Sequence, residues 1–315
     1  MIYNIQPYNQ EHYAVWNRFV SKSINGTFLF NRDFMEYHKD RFTDFSLMIY
    51  KNETLVALLP ANKSNDSIYS HQGLTYGGLV FVNKTEMNFV YEVTESLKTY
   101  FKSQQINWFY CKLIPQIYYK VSAKYLDYVL SKKAMLKNRA LVLAIDYSKP
   151  LQIHKTKLKH YRKGEIYNFD IVETKSYTSF WNTVLSPRLI EKHNVKPVHT
   201  LKEIENLSNK FPDNIKQFNI IKDGELLAGI TIFETQTVVK SQYGATTVLG
   251  EKYRALDYLF LYLIKKYKLE GKQYFSMGTV MDNSTLGVNE GLLKQKEELG
   301  CQIYFQDTFK MNCND

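Results

Sequence analysis

The sequence predicts an α/β (α+β) protein of two tandem domains, each a mixed, mostly antiparallel sheet with helices on both faces. Three observations carry this prediction. The 315 residues exceed the usual size of one core. A hairpin of β-rich runs occurs once in each half, and in each half a third run leads into a helix of crossover length followed by another short apolar run.

The elements follow in order. In the first half, 45–50 and 54–60 flank the turn Lys51-Asn52-Glu53. A third run, 68–71, leads into the glycine-bearing stretch 73–78, then a helix from about Thr85 to Ser103, then the buried strand 106–111. In the second half, 217–221 and 225–233 flank Lys222-Asp223-Gly224, an Asp-Gly hairpin turn. A run from Thr237 to Tyr243 precedes a helix over 254–268, which places Leu256, Leu259, Phe260, Leu263, Ile264 and Tyr267 on one stripe. The strand 273–278 follows, then a helix opening at Asn289 or Glu290 and ending at Gly300, and a last strand from Gln302 to about Phe309. The shared order reads as a duplicated domain. The strands on either side of each long helix are expected to be parallel, because such a helix is the usual crossover between parallel neighbours. Ala144 to Leu151, with Pro150, marks the boundary, giving domains 1–148 and 149–315.

Composition bounds the function. The 44% hydrophobic and 15% aromatic content supplies two cores and excludes disorder. Cys111, Cys301 and Cys313 are an odd count without Cys-x-x-Cys spacing, so neither a disulfide framework nor a zinc site is indicated. The N-terminus shows no leader pattern and no run approaches a membrane span, so a cytoplasmic protein without a transmembrane segment is expected. A net charge of +10 allows an anionic partner: nucleic acid, a lipid surface contacted peripherally, or a phosphate-bearing substrate. Because lysine greatly outnumbers arginine, a lysine-biased composition on solvated faces explains the same charge.

Several stretches carry a family resemblance. In the second half these are 192–200 (Lys192-His193-Asn194-Val195-Lys196-Pro197-Val198-His199-Thr200), 211–216, the Asp223-Gly224 hairpin, Ser241-Gln242-Tyr243, Arg254-Ala255-Leu256-Asp257 and 289–300. Together they resemble the FemAB-like branch of the GNAT acyltransferase superfamily. In the first half, 70–79 (Ser70-His71-Gln72-Gly73-Leu74-Thr75-Tyr76-Gly77-Gly78-Leu79) looks like a variant associated with bacterial surface-polysaccharide gene clusters. The resemblance implies an N-acyltransferase that takes an acyl group from acyl-coenzyme A or aminoacyl-tRNA as co-substrate, with no permanently bound cofactor. The acceptor is an amine on a small or lipid-linked sugar, or on a peptide. One departure stands out. Coenzyme A users in the superfamily carry a glycine-rich loop at the start of the long helix, whereas here 248–255 keeps only Gly250. Lys252, Arg254 and the first helical N–H groups remain as anion donors.

Acyl transfer to an amine needs a route for the amine proton and donors for a developing oxyanion. Tyr243, near the end of the strand before the long helix, is a candidate to reach the carbonyl, or else an aromatic core residue. Asp257, in the first helical turn, either orients an amine or complements the helix dipole. His193 and His199 flank Pro197 and are proton-transfer candidates; alternatively His199 packs beside the capping box Thr200/Glu203. Neither pairs with a carboxylate or cysteine at ligand spacing, so no metal is expected. Lys155, Lys159 and Arg162 share one face of a basic helix, suited to a phosphate of tRNA or a lipid-linked sugar, or simply solvated. Lys296 matches a family lysine. His71, Thr75 and Tyr76, in the glycine-flanked loop, are candidates for acceptor binding; alternatively the glycines serve only the turn. A non-catalytic duplicate acting as a binding module is the reading outside enzymes.

Overall fold

The computed structural model describes residues 3–82, 86–120 and 125–314, apart from the side chain of His193. The chain divides into two compact units, residues 1–140 with 305–315, and residues 141–304. The expected boundary at 148/149 is corrected. Residues 144–146 are strand, not linker, and the end of the chain belongs with the first unit. Val142 to Ala144 are nearly or fully buried, so this stretch is core.

The first unit holds β1 (Asn4–Pro7), α1 (Tyr13–Lys22), α2 (Arg32–Met35), β2 (Thr43–Asp44), β3 (Leu47–Lys51), β4 (Thr54–Leu59), β5 (Asn62–Ser64), β6 (Ser67–Tyr69), β7 (Val80–Phe81), α3 (Met87–Ser103), β8 (Trp108–Lys112), α4 (Tyr125–Lys133) and the start of β9 (Met135–Asp146). The β3–β4 turn is tight because Asn52 and Glu53 both take positive φ, 46° and 64°. The expected single sheet is split in two, β1-β3-β4-β7 and a set running through β8, β6, β5 and β2. Pro60 is the reason: without an N–H it ends β4 at Leu59, and pairing resumes only at Asn62. Strands β6 and β8 are parallel, as expected around α3, whose Val90, Val93, Leu97 and Phe101 enter the core. The helix starts at Met87; Thr85, the expected start, lies outside the described residues.

The second unit holds the end of β9, then α5 (Lys155–Gly164), β10 (Asp170–Thr174), a π-helical turn (Phe180–Leu185), α6 (Ser186–His193), α7 (Leu201–Lys210), β11 (Ile215–Lys222), β12 (Glu225–Glu234), β13 (Val238–Thr246), α8 (Val248–Tyr253), α9 (Ala255–Leu269), β14 (Tyr274–Thr279), α10 (Glu290–Glu298) and the start of β15 (Gln302–Asn312). The remainder of β15 pairs with β8 in the first unit. The sheet order is β10-β11-β12-β13-β14-β9, antiparallel except for β13/β14. Asp223 and Gly224 (φ 51° and 78°) make the hairpin turn expected of Asp-Gly. Helices cover both faces, because neighbouring residues of β12 point opposite ways. A side chain at Gly229 would strike Phe180 of the π-helical turn, while Ile230 packs with Leu259 and Leu263 of α9. The stripe expected on the long helix faces inward, with Leu259, Leu263, Ile264 and Tyr267 fully buried. The helix expected over 254–268 is continuous from Ala255 to Leu269, and Arg254 (φ 56°) separates it from the short α8 before it. Among the described residues no helix is long and apolar enough to cross a membrane.

Candidate active site

Strands β13 and β14 pair in parallel at Val238/Tyr274, Val239/Phe275 and Lys240/Ser276, and there the described pairing ends. Beyond Lys240 lies a cleft of about 340 Å³, lined on one side by Lys240, Ser241, Gln242 and Gly244 of β13. Met277, Gly278 and Thr279 of β14 form the opposite wall, Leu256 and Phe260 of α9 another, and Leu292, Gln295 and Lys296 of α10 complete it. The register of β12 against β13 slips by one residue here: Thr231 faces Tyr243 and Ile232 faces Ser241, so Gln242 is the extra residue of a bulge. A bulge leaves a residue outside the ladder and re-aims its groups, in this case into the cleft. Gly278 takes φ 71°, a conformation that favours glycine, and bends the facing strand.

The charge of the cleft has one sign. Among the described residues its titratable lining groups are Lys240 and Lys296, with no carboxylate. Lys240 Nζ donates to Gln242 Oε1 at 2.7 Å. Lys296 is 5% exposed and its Nζ donates to the Thr279 carbonyl at 2.9 Å. Burial pushes its pKa down to about 8. Asn289 accepts from the Leu292 N–H and so fixes the start of α10, which carries Lys296 inward. Such a slot offers a buried ammonium, a second lysine and bulge backbone to a group acquiring negative charge.

The other residues singled out in the sequence fall elsewhere. Tyr243 and His199 do meet: the hydroxyl lies 2.5 Å from His199 Nδ1 and accepts from the His199 N–H at 3.1 Å. Trp181 packs edge-on to Tyr243 and donates to the His199 carbonyl at 3.3 Å. That cluster faces the π-helical turn and is not part of the cleft lining, because the side chain after the bulge points to the other side of the sheet. Burial pushes the Tyr243 pKa up to about 12. His193 closes α6, and its side chain lies outside the described residues. Asp257 is buried and ion-paired with Lys157 at 2.8 Å, and so is held away from the cleft.

Gly250 serves packing. A side chain there would approach the Leu227 carbonyl oxygen to 2.3 Å, and its N–H is taken by the Thr247 hydroxyl that caps α8. Lys252 and Arg254 are exposed. On α5, Lys155, Lys159 and Arg162 are exposed as a set, while Lys157 turns inward.

In the first unit the position equivalent to the cleft is closed. Ser70 N–H donates to the Tyr110 carbonyl at 2.8 Å and Gly77 N–H to the Lys112 carbonyl at 2.7 Å, so the loop 70–79 continues the parallel pairing. Tyr76 is buried, with its hydroxyl 2.9 Å from that of Thr27. The Thr75 carbonyl accepts from Gln306. His71 is buried at φ 86° and stacked on His38 at 5.1 Å; burial first, and His38 second, push its pKa down to about 3. It lines a small polar cavity with Arg32, Glu36 and Asp44.

Sequence reasoning reached Lys296 through resemblance but missed Lys240 and the Gln242 bulge. A bulge is a register event between two strands and leaves no period in one of them. Among the described residues no group of His, Cys, Asp and Glu side chains is placed to hold a metal ion.

No protein-family model matches the sequence, and no curated protein matches it. Solved structures do share its fold. A structure of FemX superposes with a TM-score of 0.72 at 10% identity, covering 98% of this chain and 97% of that one. The C-terminal domain of a putative lysylphosphatidylglycerol synthetase from Agrobacterium fabrum gives 0.62 at 11% identity, covering 97% and 92%. A tandem GNAT protein from the clavulanic acid biosynthesis pathway gives 0.52 at 7% identity, covering 99% of each chain. The fold is therefore the tandem GNAT-like fold of FemX-type proteins.

Proposed function

Starting from this fold, we propose that the chain is an acyltransferase that moves an acyl group from an activated donor to an amine of a sugar- or peptide-linked acceptor, within the β13/β14 cleft. The observation that carries the reading is the open slot itself, with a bulge at Gln242 and a buried lysine whose pKa lies near 8. In the reaction the neutral acceptor amine attacks the donor carbonyl carbon and the C–N bond forms. The oxygen gains negative charge and collapses back as the bond to the leaving oxygen or sulfur breaks. The amine's proton leaves with that group or to water. Lys296, held as an ammonium, stabilises the oxyanion, and Gln242 and Thr279 position the acyl group.

Of the two donors, aminoacyl-tRNA is favoured by one observation. Where a coenzyme A user would present free backbone N–H groups, α8 is capped by Thr247 and Gly250 is buried against Leu227. The exposed Lys155, Lys159 and Arg162 offer a tRNA backbone its phosphate contacts. The proposed acceptors are amine-bearing sugar- or peptide-linked precursors, with cell-surface polysaccharide biosynthesis as the setting.

The test is transfer of label from a mixture of radiolabelled aminoacyl-tRNAs, and separately from acetyl-coenzyme A, to amino-sugar and peptide acceptors. Label appearing in acceptor with wild type and not with Lys296→Met supports the reading. Label from neither donor, with neither raising the melting temperature, overturns it.

A further inference from the structure

The first unit contains an apolar groove of about 550 Å³ that the acyl-transfer reading does not use. Phe19 of α1, Leu55 and Val56 of β4, Phe81 of β7 and Phe89 of α3 supply its walls. Leu55 and Val56 are consecutive in a strand and would ordinarily point to opposite faces. Both line the groove because β4 is bulged: Ile49 faces Ala57 and Tyr50 faces Leu55, leaving Val56 unopposed in the ladder.

The rim is cationic. Arg18 and Lys22, one turn apart on α1, line the groove and are exposed, and neither has an ion-pair partner among the described residues. Among the described residues Glu86 is the one acidic lining residue. A cavity of this size is in the range that holds a small molecule, and apolar walls beside two exposed cations and a single carboxylate match a ligand with an apolar chain and an anionic head.

We propose that this groove binds a single-chain anionic amphiphile, an alkyl or acyl chain ending in a phosphate or carboxylate. The chain lies against Phe19, Val56 and Phe89, and the head is held by Arg18 and Lys22. The site lies wholly in the first unit and does not depend on chemistry in the second-unit cleft. Its failure and that of the acyltransferase reading are therefore separable.

Isothermal titration of the full chain with dodecyl phosphate, hexyl phosphate and the uncharged dodecyl maltoside, each below its micelle concentration, tests the proposal. Dodecyl phosphate is expected to bind saturably and at least about tenfold more tightly than either of the others, because it alone supplies both the long chain and the charge. Val56→Trp, which fills the groove, abolishes binding. Arg18→Glu with Lys22→Glu, both on the exposed rim and so neutral to folding, weakens dodecyl phosphate about tenfold or more and leaves dodecyl maltoside unchanged. Absence of dodecyl phosphate binding overturns the proposal. So does equal binding by the rim variant, or binding only to anionic phosphatidylglycerol vesicles and not to the monomeric amphiphile.

Discussion

Lys296 Nζ donates to the backbone carbonyl of Thr279 at 2.9 Å, which ties α10 to the strand that parts from β13 at the cleft. A buried cation thus holds open the slot in which transfer is proposed. Replacing Lys296 with Met is expected to lower the transfer rate about 10²–10³-fold, the usual effect of losing one oxyanion donor. The wild-type rate should fall as pH rises through about 8, where Lys296 gives up its proton, and Lys296→Arg should keep its rate there. A pH–rate profile that does not differ between wild type and Lys296→Arg would remove Lys296 from the mechanism.

The same residue predicts a stability slope. Its folded pKa, about 8, lies below its ordinary value of 10.5. At pH below 8 both folded and unfolded chains carry the proton and the cost of burying it is fully present. Between these values the unfolded chain binds more protons, so stability rises with pH. Urea midpoints of wild type relative to Lys296→Met should converge as pH goes from about 7 to about 10.

His71 works in the same sense at lower pH. With a folded pKa near 3 against an ordinary 6.5, it stays neutral in the fold while the unfolded chain protonates. Stability is therefore lost as pH falls below 6.5, by up to about 1.4 kcal/mol per pH unit from this one group. His71→Asn tolerates the positive φ and should flatten that slope between about pH 6 and 4, as read from denaturation midpoints.

Lys157 and Asp257 form a buried pair at 2.8 Å. Asp257→Ala alone leaves the ammonium only the more distant Glu298 carboxylate, 3.7 Å away, and is expected to cost about 1–3 kcal/mol, whereas Lys157→Met with Asp257→Leu should restore most of the loss. Equal losses in the single and double variants would show that packing dominates at this site.

Two glycines separate packing from binding. Gly250→Ala forces a carbon against the Leu227 carbonyl and should cost about 1–3 kcal/mol in denaturant unfolding. Gly244→Ala meets Phe260 only at 3.4 Å, an ordinary contact, so it should fold normally yet raise the donor KM by narrowing the cleft.

Much of the fold was legible because local chemistry wrote it. Asp223-Gly224 specified its turn, the 3.6-residue stripe specified the buried face of α9, and Asn289 and Gly300 bounded α10. The site was less legible. His199 and Tyr243, chosen for chemistry, meet each other 44 residues apart on the far side of the bulge from the cleft lining. Asp257, chosen for its place in the first helical turn, is consumed by Lys157, a residue of the stretch read as a basic stripe.

The sequence by itself determined the element order, the two hairpins, the crossover helices and the stripes they bury, since each depends on periodicity or on one turn's φ and ψ. Tertiary structure alone decided which parallel pair stays open, where Val56 and Gln242 bulge, and which lysine is buried with its pKa displaced. Those outcomes depend on register between distant strands and on the water each group loses, and neither quantity is a property of a residue's own neighbours in the chain.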